Sequence, residues 1–482
     1  MIGAWGEIAM KMKNNVMAAL AVLALLPTLG FKPKSAEYFG ADIIVTSAPV
    51  YQPLAALRGE ERFPKGAQLL LLHQGVAHSL LPGFAASADA NVSFDGSRVL
   101  FAGKQNAGDP WQVWELTLAD HSVRKLIGGT DDVIRPFYLP FGRLVYAHRS
   151  AHGFQLEAAG KDAKEALDPI DALAGSTVLP ISHLPVSIIP DDVLQDGRIL
   201  FESSFPLGTD SSSEEYLVYS DGSGVESYRC DHNAVGSNGR WGGHQLASGD
   251  VVFTHGSALA RFTSPLAHEA AIAAPQADYA GALAETDDGK WLLSARANAD
   301  SHYSLKLWNP GDKALETLLD NNAEDIVEPV LVAPHARPKR HPSALHNWRY
   351  ANLLALDARE SRDENLKVTP SAVQLETLDS AGKITVTGKA RVEPDGSFFV
   401  KAPADKPIRF ALLDQNGAVL RQEHGWFWIR SGEQRICVGC HTGPEHAASN
   451  RVPAVLLRST IPVDLSEVHP MANTLRTAPG DN

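Results

Sequence analysis

Cys437, Val438, Gly439, Cys440 and His441 spell C-x-x-C-H near the end of a 482-residue chain that holds only three cysteines and eighteen histidines. At this spacing two thiols can bond the vinyl edges of a haem while the next imidazole reaches the iron. A zinc half-site would want a second ligand pair at similar close spacing, and none exists. A redox C-x-x-C normally opens a helix after a buried strand in a βαβ context. The pattern therefore predicts one covalent haem c, held by Cys437 and Cys440, with His441 on the iron.

Attachment of this kind needs reduced thiols and transported haem, which obliges the chain to leave the cytoplasm. Lys11 and Lys13 precede an apolar run from Val16 to Phe31, the charged and hydrophobic regions of a secretory signal. That run is broken by Pro27 and is shorter than the roughly 20 residues a membrane span needs. Lys34, Ser35 and Ala36 make a poor cleavage site, so residues 1–36 read as a signal peptide or a retained N-terminal anchor, and a membrane contact is expected only in the second case. The body is expected to be periplasmic or otherwise exported.

A composition of 44% hydrophobic and 21% charged residues supports sizeable cores, and the formal charge of −13 argues against nucleic acid as a partner. Once Cys437 and Cys440 hold haem, Cys230 has no partner. It is a buried small hydrophobe, or a reactive or metal-binding thiol.

Stepping outward from the motif, the chain ahead of it repeats itself. A glycine turn followed by a short apolar strand recurs as SFDGSRVLFAG (93–103), LPFGRLVYAHR (139–149), LQDGRILFES (194–203), LASGDVVFTHG (246–256) and TDDGKWLLSAR (286–296). The glycines at 96, 142, 197, 249 and 289 are spaced by 46, 55, 52 and 40 residues. Such periods belong to four-stranded propeller blades rather than to helical solenoids of about 34 residues. Further strands follow in WQVWELTL (111–118), EEYLVYS (214–220) and YSLKLWN (303–309). A sixth blade closes if GAQLLLLH (66–73) joins a late strand near IVEPVLVAP (326–334). The fold class is mainly β: a six-bladed β-propeller-like domain over 37–335, of the WD40 or TolB type, then a small β-rich domain carrying the haem segment. The competing arrangement for the repeats is a pair of β-sandwiches with coincidental turns.

HARPKRHPS (335–343) is basic, proline-bearing and poor in apolar residues, which predicts an interdomain linker at 336–345. Beyond it, in 346–482, Asp395-Gly396 and Asn416-Gly417 mark hairpin turns between alternating strands. These lead into GWFWIRSGEQRICVGCH. Alternation points Trp426 and Trp428 to one face and Phe427 to the other, as porphyrin wall or as ordinary strand core.

The run VEPDGSFFVKAPADKPIRFALLDQNGAVL, followed by WFWIRSGEQRICVGCH, resembles the middle domain of the hydrazine synthase alpha subunit family. The repeats ahead of it are similar to that family's N-terminal propeller. The resemblance implies haem thioethers at Cys437 and Cys440. In the family the histidine matching His441 turns away to help hold zinc, and a tyrosine four residues later binds the iron. Here that position is Glu445, and no tyrosine follows Tyr350, so His441 is the expected proximal ligand. The family's alpha subunit carries a further domain with a second haem, and no second C-x-x-C-H follows here. By order along the chain, Cys230, His255 and Asp109 are counterparts of the family's propeller zinc ligands, and thiolate, imidazole and carboxylate suit zinc.

The opposite face of the iron separates the functional readings. His424, His446, His469 and Met471 are local candidates for a sixth ligand, which would suit an electron carrier with a redox partner protein. An open position would suit a haem enzyme acting on a small nitrogen or oxygen species. In a third reading the propeller binds a partner and the haem is structural or sensory.

Overall fold

The computed structural model describes residues 40–161, 169–173, 175–204, 207, 212–228, 239–265, 267–361, 367–438, 450–468 and 475–478. The signal or anchor segment, Cys230, Cys440, His441, Glu445, His446, His469 and Met471 lie outside them.

Six antiparallel sheets follow one another around a ring. Blade 1 is Ala86–Val92, Arg98–Lys104, Gln112–Thr117 and Val123–Ile127. Blade 2 runs from Val133–Tyr138 to Leu179–Pro180, blade 3 from Ile189–Val193 to Glu226–Ser227, and blade 4 from Arg240–Gln245 to Ala270–Ala271. In blade 5 the inner strand is split into Asp278–Tyr279 and Ala284–Glu285. Second strands such as Arg98–Lys104 are buried on both faces because each blade is covered by a neighbour on either side. Their near-continuous apolar runs follow from that double burial.

The five repeated glycines are the turns between the first and second strands of blades 1 to 5. Gly96, Gly197, Gly249 and Gly289 each donate their N–H to the carbonyl three residues earlier, at 2.8 to 2.9 Å. All five lie at φ between 73° and 93°, where only glycine sits without strain. Blade 6 has no such turn because its two inner strands come from opposite ends of the domain. The late strand Asp325–Val332 pairs with Asp42–Ala48, which in turn pairs with Gln68–His73. The ring is closed as the sequence predicts, but by Asp42–Ala48 directly, and Gln68–His73 lies one strand further out. The β-sandwich arrangement of the repeats is excluded.

A break in the inner strand recurs in every blade. Its ladder shifts register after Ala88, Ile134, Pro190 and Trp241, and the strands of blades 5 and 6 are interrupted at the same level. Asp89, Arg135, Asp191 and Glu328 occupy these breaks, three of them at positive φ. Bulges re-aim side chains, and here they line the propeller axis with charge. In blades 4 and 5 the same level is held by Gly242 and Gly281, where a Cβ on Gly242 would meet the Gly281 Cα at 2.4 Å. The two inner strands touch there, so only glycine fits.

The second domain is a two-layer sandwich. One sheet orders Gln434–Cys437, Tyr350–Ala355, Phe398–Pro403 and Val463–Asp464; the other orders Val419–Gln422, Ile408–Leu413, Ala372–Leu378, Ile384–Arg391 and Leu475–Arg476. Leu353, Val373, Leu375, Val400, Ile429 and Leu465 fill the space between them. Gly417, at φ 84°, closes the expected hairpin between Ile408–Leu413 and Val419–Gln422, whereas the turn at Gly396, φ 83°, joins Ile384–Arg391 in one sheet to Phe398–Pro403 in the other and is a crossover between layers, not a hairpin.

Candidate functional site

The segment ahead of the haem motif is a docking strand in two parts, an extended stretch over 426–430 and, after a turn at 431–432, the strand Gln434–Cys437. Trp426 and Trp428 enter the apolar cluster of blades 2 and 3, among Leu156, Ile181, Phe201 and Val218. Ile429 points back into the sandwich, and Phe427 packs against both clusters. Phe427 is tied to its own domain by a pair of backbone hydrogen bonds with Ile408, at 2.7 and 3.0 Å. The alternation read from the sequence is therefore real, and the face it presents is the interface between domains: Trp428 is fully buried in this core rather than set aside for a porphyrin.

Polar contacts fix the register of this strand on the outer hairpin of blade 3. Trp428 Nε1 donates to the Gly222 carbonyl at 2.8 Å, Gly224 N–H donates to Glu433 Oε1 at 3.2 Å, and Arg435 donates to the Val225 carbonyl. Trp426 N–H donates to the Leu207 carbonyl at 2.6 Å. Arg430 reaches the ring of His183 and pairs with Asp405 at 2.9 Å. Burial, then the Arg430 charge, holds His183 down at about 4. The histidine is thus neutral at pH 7 and accepts the guanidinium N–H. Gly222 sits at φ +84°, and a Cβ there would meet Arg430 Cδ at 2.8 Å and the Ile181 carbonyl at 2.9 Å.

Cys437 ends the strand Gln434–Cys437, which runs parallel to Tyr350–Ala355, and its carbonyl accepts the Leu356 N–H at 2.9 Å. Its side chain packs against the apolar core of the sandwich, the cluster that includes Leu353, Val400 and Ile429. Burial pushes the thiol up, with Glu423 and Glu433 adding to it and Arg435 opposing. Next to it Ile436 and Val438 are 64% and 45% exposed, an apolar surface open to whatever the following residues bring over it. His424 neighbours Glu423 in the chain and is exposed.

Residues 352–442 match the family described as hydrazine synthase alpha subunit middle domain. Kuenenia stuttgartiensis hydrazine synthase has the same fold at a TM-score of 0.74 over 87% of this chain and 71% of the other, with 15% identity. The family match thus covers one domain, and over the rest of the chain the likeness is one of fold. TolB from Acinetobacter baumannii gives a TM-score of 0.44 over 60% of this chain and 66% of its own, at 11% identity. The β-propeller domain of the Trilobed protease from Pyrococcus furiosus gives 0.32 over 53% and 90%, at 13% identity. No curated protein sequence matches.

The remaining expected site residues are dispersed. Asp109 lies in the turn between the second and third strands of blade 1, where its Oδ2 accepts the Asn106 N–H at 2.9 Å. His255 ends the second strand of blade 4, across the ring, with Nδ1 2.7 Å from Glu269 Oε1. The structure does not bring these two together, and among the described residues no group of three or more histidine, cysteine or acidic side chains is arranged to hold a metal ion. The docking contacts of Arg430, Glu433 and Arg435 were not foreseen. Arg430 alone continues the alternation set by Trp426 and Trp428; Glu433 and Arg435 lie on the other parity beyond the turn at 431–432, and no sequence signal marks them.

Proposed function

We propose that this chain is an exported monohaem c-type cytochrome that transfers electrons to or from a partner protein. The observation that carries this reading is the C-x-x-C-H spacing placed directly after a strand locked to both domains. The donor set of two thiols and an imidazole is that of covalent haem, and the apolar surround of Cys437 suits a porphyrin edge. When bound, the haem supplies one-electron exchange. The protein's own part is to hold Cys437 at the end of a strand that cannot slide, since Trp428, Arg430, Glu433 and Arg435 each bond across the domain boundary. Preorganisation of that kind suits electron transfer, where little should move between oxidation states. His441 serves as proximal ligand in this reading, and the zinc set of Cys230, His255 and Asp109 has no role in it.

The test is expression in a periplasm with haem-maturation machinery, followed by mass analysis after acid-acetone extraction. A single unextractable haem, lost in the Cys437→Ala/Cys440→Ala double variant, is the expected result. An intact mass equal to the bare polypeptide would overturn the proposal.

A further inference from the structure

Acidic residues outnumber basic ones in this chain, 56 to 43, and arginines at the propeller surface meet a carboxylate. Arg58 meets Glu60, Arg261 meets Asp250, and Arg198 meets both Asp196 and Glu226. One track of the surface departs from this pattern. Arg337, Lys339, Arg349 and Lys406 are exposed, and their side chains form no ion pair among the described residues.

The track starts on the chain that joins the two domains, which is a strap fixed on the propeller. His335 N–H donates to the Phe94 carbonyl at 3.0 Å and Lys339 N–H to the Gln195 carbonyl at 2.9 Å, so the strap is pinned on blades 1 and 3. Ala336 and Pro338 line the acidic cavity below it, whose wall also holds Glu285 and Asp287. Arg337, Lys339 and Arg340 do not line that cavity and are exposed, so the strap turns its cations outward. Two of them rest on rings. The Arg337 guanidinium lies 5.8 Å from the Phe94 centroid and 5.9 Å from that of Phe141, and the Arg340 guanidinium lies 5.6 Å from Phe141. Such stacking holds a cation in place without neutralising it. Carboxylates in the turns under the strap are already engaged: Asp196 pairs with Arg198 at 2.7 Å, and Asp95 accepts the Ser93 and Ser97 hydroxyls at 2.6 and 2.7 Å.

From the strap the chain crosses to the second domain beside the haem segment. His346 N–H donates to the Gly432 carbonyl at 2.9 Å, and Gln434 Nε2 lies 2.9 Å from His346 Nε2. Gln434 is three residues from Cys437, about 10 Å along a strand. Arg349 follows Trp348, whose carbonyl accepts the Ser431 hydroxyl, and Lys406 follows Asp405, which accepts the Ser431 N–H at 3.2 Å and pairs with Arg430. Both cations therefore stand where the docking strand turns, and the strap continues the same sign of charge toward blade 1.

We propose that this basic track is the surface on which an acidic face of the redox partner protein docks, bringing the partner's redox group to the haem segment. The inference rests on the electron-transfer reading above and names the charge of the partner. Charges are screened beyond about 8 Å at physiological ionic strength, so a partner at this surface meets the local cations rather than the −13 of the whole chain. An anionic membrane, being extended, would meet that net charge as well. Among the strap's cations stand only Ala336 and Pro338, so nothing large and apolar is offered for insertion into a bilayer.

Stopped-flow oxidation of the reduced, matured chain tests this, with ferricyanide as the anionic oxidant and tris(phenanthroline)cobalt(III) as the cationic one. Each takes one electron from the ferrous haem and leaves as ferrocyanide or as the cobalt(II) complex. Local positive charge predicts a ferricyanide rate that falls, and a cobalt rate that rises, as sodium chloride is raised from about 10 to about 200 mM. The triple variant Arg337→Glu/Lys339→Glu/Arg349→Glu should slow ferricyanide about tenfold at low salt and reverse both slopes. Lys313→Glu, at an exposed lysine of blade 5, should change neither. Opposite slopes in the parent, or slopes that the triple variant leaves alone, would overturn the proposal. A chain that carries no haem gives no trace and fails the electron-transfer reading, and calorimetry with decaglutamate then judges the surface by itself. Saturable binding at low salt, lost in the triple variant, supports a site for an acidic protein. Absence of binding, or binding of phosphatidylglycerol vesicles in place of the peptide, would overturn it.

Discussion

Glu202 is a buried residue whose chemistry departs from its ordinary range with a checkable sign. Fully buried in blade 3, its carboxyl is pushed up to about 8, by burial first and by the neighbouring Asp191 second, with Arg135 and Arg62 opposing. A carboxyl raised on folding holds a proton that the unfolded chain has already lost. Its contribution is therefore fully present below the ordinary value of 4.5 and is lost as pH rises through 8. The denaturation midpoint should fall between about pH 5 and about pH 8, and Glu202→Gln should flatten that slope. An unchanged slope in the variant would show that Glu202 is not the titrating group. Residue types around the axis were not readable in the sequence as a group. Asp89, Arg135, Asp191 and Glu328 are separated by tens of residues of ordinary blade, and only the repeated bulge, a three-dimensional feature, collects them.

Individual elements explain why some features were legible and others were not. Each blade turn is a local object: an αL glycine after a three-residue turn needs no tertiary partner, so Gly96, Gly142, Gly197, Gly249 and Gly289 announced five blades. The sixth was legible only as two loose strands because its pairing joins residues almost 300 apart. The docking strand was half legible. Period two separates Trp426 and Trp428 from Phe427, but nothing local says that the partner face belongs to blade 3. Trp428→Ala should cost about 3–5 kcal/mol, as large aromatic truncations in cores do, and should split thermal unfolding into two transitions; a single transition at the parent temperature would contradict the interface. Gly222→Ala should act in the same direction by displacing Arg430. At the same interface, His183 has a lowered value, so its contribution is present above the unfolded value near 6.5 and is lost as pH falls through about 4. Docking should weaken over that window, and a His183→Gln variant should lose the dependence; docking that is indifferent to pH there would remove His183 from the account.

At the scale of the whole molecule, two domains share one apolar seam and one strap. The composition of 335–343 suggests a free linker, whereas the backbone hydrogen bonds at His335 and Lys339 and the stacking of His341 on Tyr219 at 3.7 Å fasten it to the propeller. Proline and basic residues predict exposure correctly, but exposure and attachment are compatible, and the sequence carries only the first. Protease cleavage near Pro338 to Pro342 should therefore leave the two pieces associated on size-exclusion chromatography. Release of a separate C-terminal domain would contradict the seam. Among the described residues no helix is long and apolar enough to cross a membrane. Electron transfer at the haem is read out by absorption spectra of both oxidation states of the matured chain, with and without carbon monoxide. A low-spin, six-coordinate haem indifferent to carbon monoxide is the predicted result. A high-spin haem that binds carbon monoxide would contradict electron transfer as the function and place an open, reactive iron at the end of the docking strand.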